Sequence, residues 1–240
     1  MLFTILWLIL TAVILIISTP WVLYAKNHRD KSPAGGPHPL IVKVIHIVIP
    51  LIGALAGAKV VVRGKENIPQ ETACFTGNHQ SYLDALVILL HLGDVKAYLL
   101  KKELMSVPLL NWYIEATNSV PLDRENVRKS VESIRDLTEK LKNGVSVALF
   151  PEGTRSHGPQ MGEFKPGAFK AAQKARVPIV PFAIDGSYKL FEEKGHIRPG
   201  TFQVSVLAPI PPAEYDGLTT QEISDLVKSR IQAELEQMRK

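Results

Sequence analysis

Residues 125–156 read ENVRKSVESIRDLTEKLKNGVSVALFPEGTRS, a helical pattern followed by a strand pattern. Apolar side chains recur at helical spacing at Val127, Val131, Ile134, Leu137 and Leu141. Asn143 and Gly144 then provide a helix stop, because glycine accepts the left-handed conformation that often ends a helix. The apolar run 145–150 that follows is typical of a buried strand. This stretch therefore predicts a helix over 125–142 that packs against a strand of the core.

The same alternation of strand and helix patterns continues in both directions along the chain. Six further strands are predicted, over residues 59–63, 73–76, 96–100, 119–121, 179–184 and 201–207. Further helices are predicted over 83–91, over 164–175 and after Thr219, which forms a capping box with Glu222. Such alternation predicts an α/β domain, in which a layered, largely parallel sheet is flanked by helices. We expect this domain to cover residues 59–240.

The first 25 residues carry no charge, and 20 of them are apolar. Basic residues follow this run instead of preceding it, and no small-residue cleavage site is present, which argues against a signal peptide. Pro20 is expected to end or kink the helix. About 18 residues then remain, or about 27 Å, which is barely enough to cross the hydrocarbon core.

A second apolar run covers residues 40–58, after the break Pro33-Ala-Gly-Gly-Pro-His-Pro39. We favour an N-terminal membrane-embedded helical hairpin over residues 1–58, either dipping into one leaflet or formed by one span and an in-plane helix. The alternative is that Leu40–Ala58 is a core helix of the domain.

The formal net charge of +5 comes from residues 26–66, which hold seven basic and two acidic side chains. Residues 67–240 carry 21 of each sign. Duplex binding needs a basic surface on the folded domain itself, so this distribution excludes nucleic acid as the expected partner. Basic residues beside an apolar end predict attachment to anionic lipid at the cytoplasmic face of the cell membrane. Cys74 is the single cysteine, so no internal disulfide or zinc ribbon can form, and no metal site is predicted.

A candidate general base lies in the segment Asn78-His-Gln-Ser-Tyr-Leu-Asp84, between a strand and a helix. On one continuous helix His79 and Asp84 would point about 140° apart. They can meet only if His79 lies in the loop and Asp84 lies in the first helical turn, with Ser81 as the N-cap. Asp84 would then fix the imidazole tautomer and leave the other ring nitrogen free as a base. The alternative is that Asp84 is only a helix-start charge.

A second polar cluster, Glu152-Gly-Thr-Arg155, follows the predicted strand 145–150. In open α/β sheets, ligands bind outside the carboxyl ends of strands. Gly153 permits close approach of backbone to a ligand, and Arg155 can hold a phosphate through two N–H donors. Arg124 follows another strand, and Lys165 opens a helix, whose N-terminus attracts anions. Their convergence on one rim favours an anionic, phosphate-bearing substrate.

Four segments together resemble the motif blocks of the glycerolipid acyltransferases. In order along the chain they are Asn78–Asp84, Pro121-Leu-Asp-Arg124, Phe150–Ser156 and Val177–Ile184. The resemblance covers roughly residues 58–210 and is greatest to the bacterial 1-acyl-sn-glycerol-3-phosphate acyltransferases. It implies transfer of a fatty acyl chain from a thioester of acyl carrier protein or coenzyme A to the sn-2 hydroxyl of lysophosphatidic acid. The product is phosphatidic acid, and no cofactor is needed beyond the thioester co-substrate.

The resemblance also implies a role for each site residue. His79 acts as the general base and Asp84 orients it, with no covalent acyl-enzyme. Arg155 and Arg124 are expected to hold the phosphate, with Lys165 assisting. We expect Glu152 and Thr154 to hydrogen-bond the glycerol part of the acceptor beside Gly153. The alternatives are that glycerol 3-phosphate or another lysolipid is the acceptor, or that the chain is a non-catalytic membrane lipid-binding protein.

Overall fold

The computed structural model describes residues 1–28, 36–84, 91–93 and 97–240. Within these residues seven strands form one sheet in the order β1-β7-β6-β2-β5-β3-β4. The strands are β1 (Ala58–Arg63), β2 (Cys74–Gly77), β3 (Ala97–Lys101), β4 (Val120–Leu122), β5 (Val147–Leu149), β6 (Ile179–Asp185) and β7 (Gly200–Val206). Each lies within two residues of a predicted strand at its start, so all seven strand predictions are confirmed.

The sheet is largely parallel, as predicted. Strands β6, β2, β5, β3 and β4 run in one direction, while β1 and β7 run together in the other. The single antiparallel pair among the described strands is β6 with β7. The five co-directional strands therefore end at the same edge of the sheet, which we call the carboxyl edge.

Helices lie before and between these strands. They are α1 (Leu2–Asn27), α2 (Pro39–Leu55), α3 (Leu110–Ala116), α4 (Val127–Lys142), α5 (Lys170–Ala175), α6 (Pro212–Tyr215) and α7 (Thr220–Met238). Short 3-10 helices cover Lys65–Asn67, Lys102–Ser106, Pro166–Phe169 and Ser187–Leu190. The predicted helix 164–175 is thus a 3-10 turn followed by α5.

Both faces of the sheet are buried. Successive residues of a strand point to opposite faces, so Cys74 lies in one apolar cluster and Phe75 in the other. The first cluster is completed by α4, α5 and α7, which contribute Leu137, Leu141, Ala171, Val227 and Ile231. The second is completed by aromatic and aliphatic residues of β6, β7 and their connection, including Phe182, Leu190 and Phe202.

Helix α4 packs through only part of its predicted apolar stripe. Asn126 caps its start by accepting a hydrogen bond from the Lys129 N–H (3.1 Å), and the chain leaves it through Gly144 in the left-handed conformation. Leu137 and Leu141 are buried in the core, whereas Val127 is 80% exposed. The first half of α4 instead contacts β4 through polar groups, because the Ser133 hydroxyl donates to the Pro121 carbonyl (2.7 Å).

Helix α1 continues through Pro20 to Asn27. Of the two predicted effects of Pro20, ending the helix is therefore wrong, and a kink stays a prediction. The Ser18 and Thr19 hydroxyls donate to the backbone carbonyls of Ile14 and Leu15, one turn earlier in the same helix. Beyond the proline, Val22 and Ala25 are fully buried. Packing of the last two turns therefore holds the helix that local sequence alone would end.

The first two helices form the predicted hairpin. The buried face of α2 packs with α1 and with Ala116 of α3 in a cluster separate from both faces of the sheet. Because α2 also lies beside β1, the choice between this hairpin as a separate unit and α2 as a helix of the domain stays a prediction. Helix α1 is long and apolar enough to cross a membrane, and it is the one such helix in the described part of the chain.

Both ends of α1 contact the α/β domain. Near its start the Thr4 hydroxyl accepts a hydrogen bond from the Ile197 N–H (3.0 Å). Near its end the Lys26 ammonium lies 2.8 Å from a carboxylate oxygen of Glu115. At 1.5 Å per residue the helix is about 39 Å long, so the domain lies alongside it over most of that length.

Several predictions fall on residues that the structure does not describe. They concern Arg29, Asp30 and Lys31 of the basic segment, residues 33–35, most of the predicted helix 83–91 and residue 96. The division of the chain into residues 1–58 and 59–240 stays a prediction.

Candidate active site

The structure brings His79 and Asp84 together at the carboxyl edge. His79 lies in the loop after β2, and its Nδ1 is 2.8 Å from Oδ2 of Asp84. The same oxygen accepts hydrogen bonds from the backbone N–H groups of Gln80 (2.6 Å) and Ser81 (2.8 Å). Asp84 is completely buried, so these three donors fix its carboxylate. This contact suits the tautomer of His79 that carries its proton on Nδ1, which leaves Nε2 able to accept a proton.

Aromatic rings set the plane of the His79 imidazole. It stacks on Phe150 with ring centroids 4.0 Å apart and planes 11° apart, and Phe150 meets the edge of Phe182 at 6.0 Å. A Cβ added at Gly77 would lie 2.1 Å from the Phe182 ring, so this glycine makes room for the stack. The His79 side chain remains 19% exposed and accessible to a substrate.

Glu152 joins the two loops of the site. Its Oε1 accepts a hydrogen bond from the His79 N–H (2.7 Å), and its Oε2 accepts one from the Gly162 N–H (2.8 Å). The Ser156 N–H also donates to the His79 carbonyl (2.8 Å). Burial raises the pKa of Glu152, and the two backbone hydrogen bonds act in the opposite direction. Both carboxylate oxygens thus accept from backbone, so Glu152 holds the two loops together; its predicted hydrogen bond to the glycerol part of the acceptor stays a prediction.

Gly153 and Lys165 lie against each other. Gly153 has φ +71°, and a Cβ there would lie 3.3 Å from Cε of Lys165. The Lys165 N–H donates to the Pro151 carbonyl (2.9 Å), which fixes the backbone of the two segments. Thr154 and the Lys165 side chain are exposed, so both can meet a ligand from solvent.

Arg155 is held against the His79 loop. Its guanidinium carbon lies 3.3 Å from the centroid of the Tyr82 ring, and its Nη1 donates to Oε1 of Glu192 (3.1 Å). The Tyr82 N–H donates to the same oxygen (2.9 Å). Arg155 therefore lies close to the loop that carries the base.

Arg124 is placed apart from this group. It follows β4, which is separated from β5 by β3, so the two strands are about 10 Å apart at 4.7–4.9 Å per step. The preceding Asp123 pairs with Lys102 (3.0 Å); the ammonium lowers the pKa of Asp123, and Asp123 raises the pKa of Lys102. The Arg124 side chain is exposed and makes no ion pair within the described residues. It belongs to the same edge of the sheet but not to the contact network around His79.

No group of three or more His, Cys, Asp or Glu side chains arranged to hold a metal ion is found among the residues that the structure describes.

Comparison with protein families gives a match to the acyltransferase family over residues 59–185. The chain belongs to this family. The matched range includes all four motif segments, with His79, Asp84, Glu152 and Arg155, and ends before Glu192. The family predicted from those segments is therefore confirmed, and so is the prediction that the chain is an acyltransferase enzyme.

Known proteins similar to this acyltransferase carry consistent names. The chain is 33% identical over 221 residues to the chloroplastic 1-acyl-sn-glycerol-3-phosphate acyltransferase LPAT1 of Arabidopsis thaliana, covering 90% of this chain and 59% of that protein. It is 30% identical over 232 residues to a probable 1-acyl-sn-glycerol-3-phosphate acyltransferase of Mycoplasma pneumoniae, covering 91% of this chain and 86% of that protein. The chain thus spans little more than half of the plant relative and most of the bacterial one.

A solved structure resembles the acyltransferase over almost its whole length. The crystal structure of the 1-acyl-sn-glycerophosphate acyltransferase PlsC from Thermotoga maritima superposes with a TM-score of 0.83 at 29% identity. The superposition covers 99% of this chain and 95% of that one, so the N-terminal hairpin is part of the shared architecture.

Three residues of the acyltransferase site were missed in the sequence. Asn78 is buried, and its amide group exchanges two hydrogen bonds of 2.8 Å with the backbone of Ile184. Gln80 accepts from the Gly186 N–H (2.9 Å). Oε1 of Glu192 accepts hydrogen bonds from the Arg155 guanidinium and from the Tyr82 N–H. The position of Asn78 and Gln80 directly after a predicted strand could have indicated that they are site residues. Glu192 lies outside every motif segment, and no sequence feature pointed to it.

Proposed function

We propose that this acyltransferase moves a fatty acyl chain from a thioester to the sn-2 hydroxyl of lysophosphatidic acid, giving phosphatidic acid. The observation that carries the proposal is the 2.8 Å contact between His79 and Asp84, with the cations Arg155 and Lys165 on the adjoining loop. The names of the relatives in plants and in Mycoplasma support this choice of acceptor.

The chemistry requires a base and a good leaving group. The acceptor is an alcohol, whose pKa lies far above neutrality, so Nε2 of His79 removes its proton as the oxygen attacks the thioester carbonyl. The tetrahedral intermediate then collapses, the carbon–sulfur bond breaks, and the thiolate leaves readily because a thiol has a pKa of about 8.5. His79 returns its proton to that sulfur. No nucleophilic side chain takes part, so transfer is direct.

The phosphate of the acceptor is assigned to the cations beside the dyad. Arg155 offers a planar guanidinium with several N–H donors, and the exposed Lys165 ammonium lies against Gly153. Thr154 is exposed and free to hydrogen-bond the glycerol part. Arg124 follows β4, which lies two strands from the β5 strand that precedes Arg155. We therefore assign Arg124 to the outer part of the same anionic site.

An apolar cavity suits the fatty acyl chain. It has a volume of about 490 Å³ and lies between α2 and the sheet. Ile49, Val60 and Phe202 line it, together with Leu83, the residue immediately before Asp84. Cavities of this size with apolar walls accept hydrocarbon ligands. The thioester carrier of that chain is acyl carrier protein or coenzyme A.

The hairpin attaches the enzyme to the membrane that contains its substrate. A row of apolar side chains along α1 is exposed, including Leu6, Ile9, Val13 and Ile17. Since both ends of α1 contact the same domain, we place the hairpin in one leaflet instead of across the bilayer. Because basic residues are enriched on the cytoplasmic side of membranes, the basic residues that follow α1 favour the cytoplasmic leaflet of the cell membrane.

A matched pair of histidine variants tests the mechanism. His79→Asn should lower kcat at least about a hundredfold, the usual contribution of a general base, while binding of lysophosphatidic acid changes little. His157→Asn is the control, because His157 lies in the same loop region but is exposed. The measurement is thiol release by purified enzyme; full turnover by His79→Asn would contradict the mechanism.

The same assay identifies the acceptor. Lysophosphatidic acid, glycerol 3-phosphate and an uncharged monoacylglycerol are each offered with both thioester donors. We expect turnover of lysophosphatidic acid to exceed that of the others. Preference for glycerol 3-phosphate would replace the proposed acceptor, and no thiol release with any of them would support a lipid-binding protein without catalysis.

A further inference from the structure

A buried carboxylate outside the motif segments connects the two loops of the site. Glu192 follows the 3-10 helix Ser187–Leu190, and its side chain is 2% exposed. One oxygen, Oε1, receives both the Arg155 guanidinium (3.1 Å) and the Tyr82 N–H (2.9 Å). Its other oxygen, Oε2, is buried and has no hydrogen-bond partner among the described residues.

We infer that Glu192 is the positioning residue of Arg155, and that it sets how the guanidinium meets the phosphate of the acceptor. This inference rests on the proposed function, in which Arg155 binds that phosphate. Glu192 does not touch the substrate in this scheme and acts only through Arg155.

Two contacts fix the guanidinium in two different ways. The contact with the Tyr82 ring places the guanidinium carbon 3.3 Å from the ring centroid, but this contact alone does not fix the direction of the N–H groups. The hydrogen bond from Nη1 to Glu192 fixes that direction, since charge-assisted hydrogen bonds are short and directional. An arginine side chain without such a partner would have to be ordered by the substrate, and this ordering would weaken binding.

The same oxygen also fixes Arg155 relative to the base. Because Oε1 accepts from the Tyr82 N–H, it is tied to the segment that runs from His79 to Asp84. The guanidinium and the imidazole are therefore held in one frame. Small displacements of a positioned group have large effects on rate and binding.

The unpartnered oxygen argues that this carboxylate is not placed for stability alone. Buried polar groups are normally satisfied, and an unsatisfied one in a native structure calls for an explanation. A glutamine would fill the same volume without a buried charge. The retained carboxylate gives Arg155 a charged acceptor, which forms a hydrogen bond about twice as strong as a neutral one.

Glu192→Gln is the decisive variant because it keeps the shape and one acceptor oxygen but removes the charge. We expect it to raise the KM for lysophosphatidic acid about tenfold, equivalent to about 1.4 kcal/mol. The kcat and the KM for the thioester donor should stay within about twofold of wild type. Glu193→Gln is the matched control, since Glu193 is exposed and pairs with Arg198 (3.4 Å); it should leave all three parameters unchanged.

A double variant tests whether Glu192 acts through Arg155. Arg155→Ala should raise the same KM, and adding Glu192→Gln to Arg155→Ala should raise it no further. A thermal denaturation curve for each variant identifies loss of folding, and Glu192→Asp provides a second readout by restoring part of the lost affinity through its charge.

Three outcomes would overturn the inference. The first is an unchanged or lower KM for lysophosphatidic acid in Glu192→Gln. The second is an equal change of kcat and of both KM values in that variant. The third is a KM in the double variant that equals the sum of the two single effects on a free-energy scale. A lower KM would mean that Glu192 competes with the phosphate for the guanidinium. Failure of the proposed function is distinct, because then wild type would not prefer lysophosphatidic acid and Arg155→Ala would leave its KM unchanged.

Discussion

At the scale of single residues, the site depends on a row of ring contacts that begins at a glycine. Phe182 occupies the space that a side chain at Gly77 would need, Phe150 packs on Phe182, and His79 stacks on Phe150. The position of the His79 imidazole therefore depends on residue 77 being a glycine, which has no Cβ.

Gly77→Ala should damage both stability and catalysis. The added Cβ would lie 2.1 Å from the Phe182 ring, and overpacking of a filled core costs about 1–3 kcal/mol of unfolding free energy. Relief by movement of Phe182 would displace Phe150 and His79, so kcat should fall as well. Denaturation and thiol-release assays measure the two effects.

The control for this prediction is Gly167→Ala. A Cβ at Gly167 meets no atom of the described residues within 4 Å, so its unfolding free energy should stay within about 0.5 kcal/mol of wild type. Equal stability of the two variants would mean that the sheet adjusts around residue 77 without strain.

The sequence predicted residues whose partners are near in the chain. His79 and Asp84 are five positions apart, and a loop followed by a helical turn was the one local arrangement that lets them meet. Glu192 contacts a loop 37 residues earlier and another 110 residues earlier. No spacing rule anticipates such contacts, because they depend on how β5 and β6 are ordered in the sheet.

At the scale of elements, local signals succeeded where packing agreed with them. The capping box of Thr219 and Glu222 is present as predicted. Pro20 gave an equally clear local signal, but burial of Val22 and Ala25 kept α1 helical beyond it. The apolar stripe predicted α4 correctly, but Val127 and Val131 of that stripe are exposed, since the sequence does not reveal which part of the helix the core covers.

Thr219→Ala should destabilise α7 at neutral pH by about 1 kcal/mol, the usual cost of losing an N-cap. Hydrogen bonds from Thr219 lower the pKa of Glu222, so its contribution is present above the ordinary glutamate pKa and disappears as the pH falls through the lowered value. The difference from wild type should therefore narrow between pH 7 and pH 3. Denaturant titrations at several pH values measure it.

The neighbouring Thr220→Ala serves as the control, because Thr220 lies inside the helix and is not the cap. It should have little effect at any pH. A pH-independent loss in Thr219→Ala would show that Glu222 does not contribute through its charge.

At the scale of the whole molecule, α1 is attached to the domain near both of its ends, at Thr4 and at Lys26. A helix that crosses a bilayer has its ends on opposite sides, separated by about 30 Å of hydrocarbon. A domain in contact with both ends and outside the hydrocarbon excludes that arrangement. We therefore propose that α1 and the catalytic domain form one body on one side of the membrane.

Two cysteine variants test this topology. Leu2→Cys and Asn27→Cys place a thiol at each end of α1, where both residues are exposed. Burial raises the pKa of the native Cys74 to about 12, so that thiol stays unreactive. After binding to preformed vesicles, both new thiols should react equally with a membrane-impermeant maleimide added outside. Protection of Leu2→Cys alone, reversed by detergent, would indicate a crossing helix.

The attachment of α1 along the domain has a consequence for the membrane itself. An enzyme confined to one leaflet takes its lysolipid from that leaflet and returns a two-chain lipid to it. Each turnover then adds a hydrocarbon chain, and so lateral area, to one monolayer only. A bilayer that grows by this reaction would curve toward its unexpanded side unless lipid also moves between the leaflets, so balanced growth requires lipid transfer across the bilayer.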